Sequence, residues 1–359
     1  MTRKNVEESL KRISGLAWLY YHAIRRLEHK PIDSVTKKIV ITDWTFQDLG
    51  IEEQLVQANG ATLVGKQCKS AADLISLVAD ADAVITQFAK IDAAVIGAMQ
   101  RARVIVRYGI GVDNVDLDAA RQHNIPVCNV PDYCMDEVAD HTLAFILAST
   151  RQVVPNTLHL RGGKWGLATP LAAMQALKNL SVGVIGFGRI GREVVSRLLA
   201  FKCRVVVFDP VVPAAEIAKH GAQPAASFDE LLAQSDIVTP HCPSTAKTKK
   251  MFNADAFAKM KPGAIFINVG RGDLADSAAL TAALQSGKLG GAALDVFDPE
   301  PIPADHPILK MPNVIVAAHI ASASPPAVKQ LRESAAGLAL KAIRGEPLPN
   351  IVNGVKSSV

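Results

Sequence analysis

Three side chains suited to acid–base chemistry and anion binding follow three successive β-rich runs. Arg271 lies in NVGRGD, just after AIFIN; Glu300 comes a short turn after GAALDV; His319 comes directly after VIVAA. Ligands of an open α/β sheet bind outside the carboxyl ends of its strands, so we expect the three side chains to emerge at one edge. A histidine can act as general acid, a bonded carboxylate favours its charged form, and an arginine can grip a carboxylate with two hydrogen bonds. The set predicts a site that binds a small carboxylic acid and exchanges a proton with it.

A glycine-rich turn marks a second chemical site. The letters GFGRIG come directly after the run VGVI and open a helical pattern, which puts Gly186, Gly188 and Gly191 where a dinucleotide-binding turn needs glycine. The next run, RVVVF, ends in Asp209, eighteen residues beyond Gly191. A carboxylate there accepts hydrogen bonds from the adenosine ribose and repels a 2′-phosphate. The constellation predicts NAD as the cofactor, in preference to NADP.

The two sites together predict a hydride transfer. As a nicotinamide ring delivers a hydride to a carbonyl carbon, His319 can supply the proton, Glu300 can orient the imidazole, and Arg271 can hold the neighbouring carboxylate. The predicted substrate is a small 2-oxo acid or 2-hydroxy acid. Taken singly, the three residues have plainer interpretations as a surface ion pair, a solvated carboxylate and a buried histidine. Arg-Gly-Asp is also an adhesion tripeptide, but an adhesion loop has no use for the glutamate and the histidine.

The segments that must position these residues alternate between β-rich runs and helical patterns. The first series has β-rich runs at 38–42, 61–64, 82–86, 103–108 and 125–130, and helical patterns at 48–59, 70–79, 92–100 and 116–123. A helical pattern at 136–150 precedes a second series, with β-rich runs at 181–186, 203–208, 235–239, 263–268, 290–296 and 313–318 and a last helical pattern at 325–344. The rhythm predicts an α/β fold with parallel sheets covered on both faces.

The formal charge of +5 comes from the N-terminal segment. Residues 1–38 hold nine Lys and Arg against four Asp and Glu, so the rest of the chain balances at thirty against thirty. A body without net charge does not support nucleic-acid binding. The five cysteines are scattered without metal-like spacing, so no metal site is predicted, and their odd, dispersed set favours the reducing cytoplasm.

The N-terminal segment has a pattern of its own, and we assign residues 1–36 to a helical extension. Apolar residues recur at alternating spacings of four and three from Val6 to Leu27, with basic clusters at both ends. The stripe would suit an interaction helix or membrane contact through residues 5–29. We favour a peripheral helix, or upstream sequence carried by an early start codon, because three heptads are a short signal.

Seven blocks, in order, resemble the D-isomer-specific 2-hydroxyacid dehydrogenase family, which includes phosphoglycerate, glyoxylate and hydroxypyruvate reducing enzymes. The blocks are RYGIGVDNVD (107–116), NVPDYCMDEVADHTL (129–143), GVIGFGRIG (183–191), HCPSTAKT (241–248), NVGRGDLAD (268–276), ALDVFDPEP (293–301) and AAHIASAS (317–324). One departure is IASAS after His319, where the family often has a glycine-rich step and a threonine.

The resemblance implies roles for the site residues. Arg271, Glu300 and His319 would be catalytic, and Asp295 would hold the nicotinamide amide. The other residues that it assigns are Arg189 and Ile190 at the pyrophosphate, Pro243, Thr248 and Val269 in the cofactor cleft beside Arg271 and His319, and Gly109, Ile110 and Gly111 at the substrate carboxylate.

The resemblance also implies an architecture of two doubly wound parallel-sheet domains. A Rossmann-type nucleotide domain (135–321) would be inserted into a flavodoxin-like substrate domain (37–134 and 322–353), with a homodimer joined near the helix at 136–150. The family includes NAD(H)-sensing corepressors with the same fold, so a sensor with little turnover is the alternative to an enzyme.

The sequence leaves the substrate open among a phosphorylated acid, glyoxylate or hydroxypyruvate, and a larger 2-oxo acid. The loop TQFAK (86–90) is expected to face the substrate. Lys90 and Arg107 are the candidates for a phosphate contact, and either would equally suit a solvated charge.

Overall fold

Two all-parallel β-sheets, connected by helices, make up the computed structural model, which describes residues 36–356. The helix predicted within residues 1–36 lies outside the described residues. The strands are β1 (Lys38–Ile41), β2 (Thr62–Gly65), β3 (Ala83–Thr86), β4 (Ile105–Arg107), β5 (Val127–Cys128), β6 (Ser181–Ile185), β7 (Arg204–Phe208), β8 (Gln223–Pro224), β9 (Ile237–Pro240), β10 (Ala264–Asn268), β11 (Leu289–Leu294) and β12 (Val314–Val316). The helices are α1 (Gly50–Ala58), α2 (Ala71–Val78), α3 (Ala93–Gly97), α4 (Leu117–Gln122), α5 (Met135–Thr150), α6 (Val153–Arg161), α7 (Arg189–Ala200), α8 (Ala214–Lys219), α9 (Phe228–Gln234), α10 (Ala254–Lys259), α11 (Ser277–Gln285) and α12 (Pro325–Arg344).

The first sheet has the strand order β2-β1-β3-β4-β5 and is covered on both faces. Alternate residues of a strand point to opposite faces. Ile39 and Ile85 therefore pack in one core with Leu338 of α12, whereas Val40 and Val84 pack in another with α2, α3 and α4. The helix that follows the last strand of the second sheet thus completes the core of the first.

Helix α12 has sequence signals at both ends. The Ser324 hydroxyl accepts the Ala327 N–H at 3.2 Å, and prolines occupy the first two helical positions, where no intrahelical donor is needed. Gly345 ends the helix at φ 70°, a left-handed conformation that suits glycine. These local signals explain why the predicted span 325–344 agrees with the structure.

The second sheet has the strand order β12-β11-β10-β9-β6-β7-β8. From β6 the chain adds strands first on one side and then, from β9 onward, on the other, so the topological switch point lies between the parallel strands β6 and β9. A crevice opens at such a switch point, outside the carboxyl ends of the strands. Gly186 follows β6 there at φ 94°, and a Cβ atom on it would lie 2.7 Å from the carbonyl oxygen of His241, after β9. The first glycine of GFGRIG is therefore required by both conformation and close approach. The predicted fold class is confirmed, while the exact domain boundaries stay predictions.

Strand β8 and helix α6 were not predicted, and helices α8 to α11 were predicted only through the alternation of strands and helices, without bounds. Strand β8 has two residues, Gln223 and Pro224, and is too short and polar to show a strand pattern. Helix α6 buries none of its residues, so it lacks the apolar periodicity by which helices are recognised. Among residues 36–356, no helix is long and apolar enough to cross a membrane.

Candidate active site

His319 and Glu300 form a hydrogen-bonded pair at the carboxyl edge of the second sheet. His319 Nδ1 lies 2.8 Å from Glu300 Oε2, and Glu300 Oε1 accepts the Phe297 N–H at 2.8 Å. The His319 backbone has φ 55°, in the left-handed region, and its N–H donates to the Asp295 carbonyl oxygen at 2.7 Å. A residue held in this sparsely populated conformation is fixed by its surroundings. Because Nδ1 faces the carboxylate, Nε2 is the nitrogen left for a substrate.

The surroundings of Glu300 keep its carboxylate charged. Partial burial raises the pKa of Glu300, but the hydrogen bond and charge of His319 lower it, helped by the Phe297 N–H and the charge of Arg271. The net pKa lies below its ordinary value, because groups that favour the charged form outweigh desolvation. The carboxylate is therefore ionised at neutral pH and acts as the acceptor that orients His319.

Arg271 follows β10 and extends its guanidinium toward the first sheet. Its Nε donates to Asp113 Oδ1 at 2.9 Å and its Nη1 to the Gly270 carbonyl oxygen at 2.9 Å. Its Nη2 lies against Gly111, where a Cβ atom would be 1.6 Å away. The guanidinium thus reaches the turn at which the substrate carboxylate is predicted.

The glycine after Arg271 lets two functional loops touch. A Cβ atom on Gly272 would lie 1.9 Å from the carbonyl oxygen of Phe297, whose N–H holds Glu300. The letters RGD therefore belong to a packed loop beside the His–Glu pair, which is the position predicted from the strand order.

Arg107 brings a second guanidinium to the same region, and it is nearly buried at 8% exposure. Within the described residues its Nε has no hydrogen-bond partner. Burial, and then the positive charge of Arg271, lower the pKa of Arg107 to about 10, so it remains charged at neutral pH. Its guanidinium carbon lies 5.7 Å from the centre of the Phe88 ring, which packs edge-on against the His319 ring at 5.6 Å. Lys90 is exposed and does not line the cleft.

The glycine turn has the features that an NAD pyrophosphate and ribose require. Helix α7 begins after Gly188, which provides no side-chain cap and has open space where a Cβ atom would point, whereas Gly191 packs on the Gly186 carbonyl oxygen. Uncapped N–H groups at the start of a helix suit a phosphate. Asp209 accepts the Phe187 N–H at 2.7 Å. Burial raises the pKa of Asp209, but hydrogen bonds from three backbone N–H groups lower it below its ordinary value, so it is charged.

One cleft of about 500 Å³ brings together most of the predicted site. The predicted residues that line it are Ile110, Gly111, Arg189, Ile190, Pro243, Val269, Arg271, Asp295 and His319. The predicted residues outside its lining are Gly109, Gly186, Gly188, Gly191, Asp209, Thr248 and Glu300. Thr248 donates to the Pro243 carbonyl oxygen at 2.6 Å, and so supports the cleft wall from behind.

Asp295 is fully buried, and its carboxylate oxygens accept the N–H groups of Ile320 and Ala321 at 2.9 and 2.8 Å. These bonds fix the backbone that follows His319. Contact of Asp295 with the nicotinamide amide stays a prediction.

The cleft is also lined by a second histidine, His241, which was not predicted from the sequence. His241 Nε2 lies 3.0 Å from Thr239 Oγ1, and burial lowers the pKa of His241 to about 4. Because its pKa is so low, the His241 imidazole is neutral at neutral pH and carries no extra proton to donate as a general acid. His319 therefore remains the candidate proton donor.

Two further carboxylates were missed, and both follow strands of the first sheet. Asp43 comes after β1 and accepts the N–H groups of Gln87, Phe88 and Ala89 at 3.0, 2.6 and 3.1 Å, which fixes the loop facing the site. Asp113 comes after β4 and pairs with Arg271. Both residues could have been predicted from their positions after strands of the first sheet, because ligands bind at the carboxyl ends of such strands.

The fold and the site define a class of two-domain α/β proteins, with a dinucleotide-binding turn and a His–Glu pair at one cleft. Residues 143–321 match the family model for the NAD-binding domain of D-isomer specific 2-hydroxyacid dehydrogenases. The chain is 35% identical over 283 residues to a glyoxylate reductase of Korarchaeum cryptofilum, covering 78% of this chain and 85% of that protein. It is 36% identical over 281 residues to a D-3-phosphoglycerate dehydrogenase of Mycobacterium leprae, covering 78% of this chain.

The chain belongs to the D-isomer-specific 2-hydroxyacid dehydrogenase family, and its second sheet forms the family's NAD-binding domain. A D-lactate dehydrogenase from Aquifex aeolicus, solved with NAD and lactic acid, superimposes with a TM-score of 0.79 at 27% identity over 86% of this chain and 96% of that one. The chain spans about half the length, 52%, of the M. leprae phosphoglycerate dehydrogenase. The predicted family and NAD as its cofactor are confirmed, while the preference for NAD over NADP stays a prediction.

Proposed function

We propose that this chain is an enzyme that interconverts a small 2-oxo acid and its D-2-hydroxy acid with NAD(H). The observation that carries the proposal is the His319–Glu300 pair, 2.8 Å apart, beside a cleft that Arg271 also lines. Family membership and the similarity to named reductases support the same activity.

His319, Glu300 and Arg271 each have a separate role in the proposed reaction. A nicotinamide cofactor, when bound in the cleft, would supply or accept the hydride. In the reduction direction, protonated His319 donates from Nε2 to the carbonyl oxygen, while Glu300 accepts from Nδ1 and stabilises the imidazolium. Arg271 holds the substrate carboxylate, polarises the adjacent carbonyl and so orients the reacting carbon. In the oxidation direction, neutral His319 removes the hydroxyl proton.

We further propose that the substrate carries a second anionic group, which Arg107 binds. The Arg107 guanidinium is nearly buried, and its Nε has no acceptor among residues 36–356. A buried charge of this kind, 5.7 Å from the Phe88 ring, is costly unless a ligand pairs with it. A phosphate or a second carboxylate on the substrate would supply that charge.

A panel of 2-oxo acids assayed with NADH and with NADPH tests the function. The panel contains pyruvate, glyoxylate and hydroxypyruvate, together with phosphohydroxypyruvate and 2-oxoglutarate, which carry a second anion. We expect higher kcat/KM with NADH than with NADPH, because the Asp209 carboxylate opposes the 2′-phosphate of NADPH. We expect the highest kcat/KM for a member of the second group, because Arg107 would bind its second anion. Tight NADH binding without turnover of any member would favour the NAD(H) sensor instead.

The variant Arg107→Met serves as the matched test of the second anion site. It should lower kcat/KM for the doubly anionic substrate by about 10–100-fold, the value of one charged hydrogen bond, and leave pyruvate reduction nearly unchanged. An equal loss for pyruvate would assign Arg107 to the fold and not to the substrate.

We also propose that the chain is a cytoplasmic homodimer that buries an exposed apolar surface around α6. Leu158, Leu160 and Trp165 are 61%, 57% and 92% exposed, which is unusual for large apolar side chains that adjoin one another in sequence. The five cysteines are free thiols, as a reducing compartment favours. Light scattering at micromolar concentration should give the mass of two chains, and Leu158→Ser with Trp165→Ser should shift it toward one chain. A single-chain mass for the unmodified protein would contradict the dimer.

A further inference from the structure

Asp113 and Arg271 form an ion pair that joins the two sheets at the substrate end of the cleft. Asp113 follows β4 of the first sheet, Arg271 follows β10 of the second, and the two residues are 158 positions apart. Asp113 Oδ1 accepts the Arg271 Nε–H at 2.9 Å. Burial raises the pKa of Asp113, but the charge and hydrogen bond of Arg271 lower it below its ordinary value, so the carboxylate is charged.

The loop that carries Asp113 is held in place by hydrogen bonds on both sides. Asn114 Nδ2 donates to the Ala89 carbonyl oxygen at 2.9 Å, and Asn129 Nδ2 donates to the Ile110 carbonyl oxygen at 2.7 Å. The acceptor is therefore placed by rigid backbone, so it can fix the direction of a long, flexible side chain.

The contacts of Arg271 divide its guanidinium into two edges. Nε donates to Asp113 and Nη1 donates to the Gly270 carbonyl oxygen, whereas Nη2 donates to no residue between 36 and 356. A guanidinium has five N–H groups, so three remain, and all three are on the two Nη atoms. That outer edge can form the two parallel hydrogen bonds that a carboxylate accepts.

We propose that Asp113 is a positioning residue, which holds the Nε edge of Arg271 so that the outer edge faces the substrate carboxylate. This inference rests on the proposed function, since it needs a 2-oxo acid beside Arg271. Because Asp113 and Arg271 come from different sheets, Arg271 is oriented for the substrate carboxylate only when the two sheets pack together.

Steady-state kinetics of Asp113→Ala and Asp113→Asn test the inference. The alanine variant should raise KM for the 2-oxo acid by about 10–100-fold, the loss of one charged hydrogen bond, with a much smaller change in kcat and none in NADH affinity. The asparagine variant keeps an oxygen acceptor at the same place and should recover most of the loss. Asp118→Ala is the control, because Asp118 is also an exposed carboxylate paired with an arginine, Arg121, at 2.6 Å.

An unchanged KM in Asp113→Ala with a lowered melting temperature would show a purely structural role and overturn the inference. A lowered KM would show competition with the substrate and also overturn it. If Asp113→Asn does not recover KM, Asp113 acts through its negative charge and not by positioning Arg271, which would overturn the inference.

Oxalate, an unreactive dicarboxylate, separates this inference from the proposed function. Calorimetry should show that oxalate binds the NADH complex about 10–100-fold more weakly in Asp113→Ala than in the unmodified protein. Equal affinities would overturn the role of Asp113 even if turnover is present. Weaker binding would support it even if the unmodified protein reduces no 2-oxo acid, in which case the proposed function alone fails.

Discussion

His319→Ala should lower the rate of 2-oxo acid reduction by about 10²–10⁴-fold, the usual contribution of a general acid. The variant removes the only cleft imidazole among the described residues that is hydrogen-bonded to a carboxylate, and His241, whose pKa is lowered to about 4, cannot replace it at neutral pH. NADH affinity should be retained, as measured by fluorescence titration. His123→Ala, at the exposed C-terminal end of helix α4 and outside the cleft lining, is the control for replacing a histidine elsewhere.

Glu300→Gln tests the pairing behind that expectation. The pKa of Glu300 is below its ordinary value, so its carboxylate is charged throughout the neutral range and stabilises the imidazolium of His319. Glu300→Gln removes the charge that pairs with the imidazolium, so it should lower the rate of 2-oxo acid reduction by about 10–100-fold, the value of one charged hydrogen bond, while NADH affinity is retained. An unchanged reduction rate in Glu300→Gln would refute the pairing, and a His319→Ala rate above a tenth of normal would refute the proton donor.

Arg271→Ala should lower kcat/KM for 2-oxo acids by about 10²–10⁴-fold, because it would remove the two charged hydrogen bonds that we propose to the substrate carboxylate. The affinity for NADH should change little, since the glycine turn and Asp209 lie on other loops. Stopped-flow kinetics with fixed NADH and varied 2-oxo acid provide the measurement.

Arg271→Lys is the matched variant for this test. It keeps the positive charge but loses the planar pair of donors and the Nε contact with Asp113, so it should recover only part of the activity. Full activity in Arg271→Ala would mean that the NVGRGD loop does not hold the substrate.

Local patterns in the sequence determined most of the architecture. Alternating β-rich runs and helical patterns reflect side-chain periodicities of about two and 3.6 residues, which each segment expresses by itself. The glycines of GFGRIG report a backbone constraint at one turn, where a Cβ atom on Gly186 would lie 2.7 Å from the His241 carbonyl oxygen. Asp209, and the order of Arg271, Glu300 and His319 after three neighbouring strands, could be predicted because the carboxyl ends of parallel strands share one edge.

Only the tertiary structure decided which side chains lie together across the cleft. Asp113 meets Arg271 over 158 positions, and Phe88 lies near both Arg107 and His319, because two sheets dock in one arrangement that no local pattern encodes. The burial of Arg107 likewise depends on loops of both sheets, so sequence alone left it open between a solvated charge and a ligand contact. The exposed helix α6 escaped prediction for the opposite reason: it packs no apolar stripe on the body, and a helix is recognised from sequence by such a stripe.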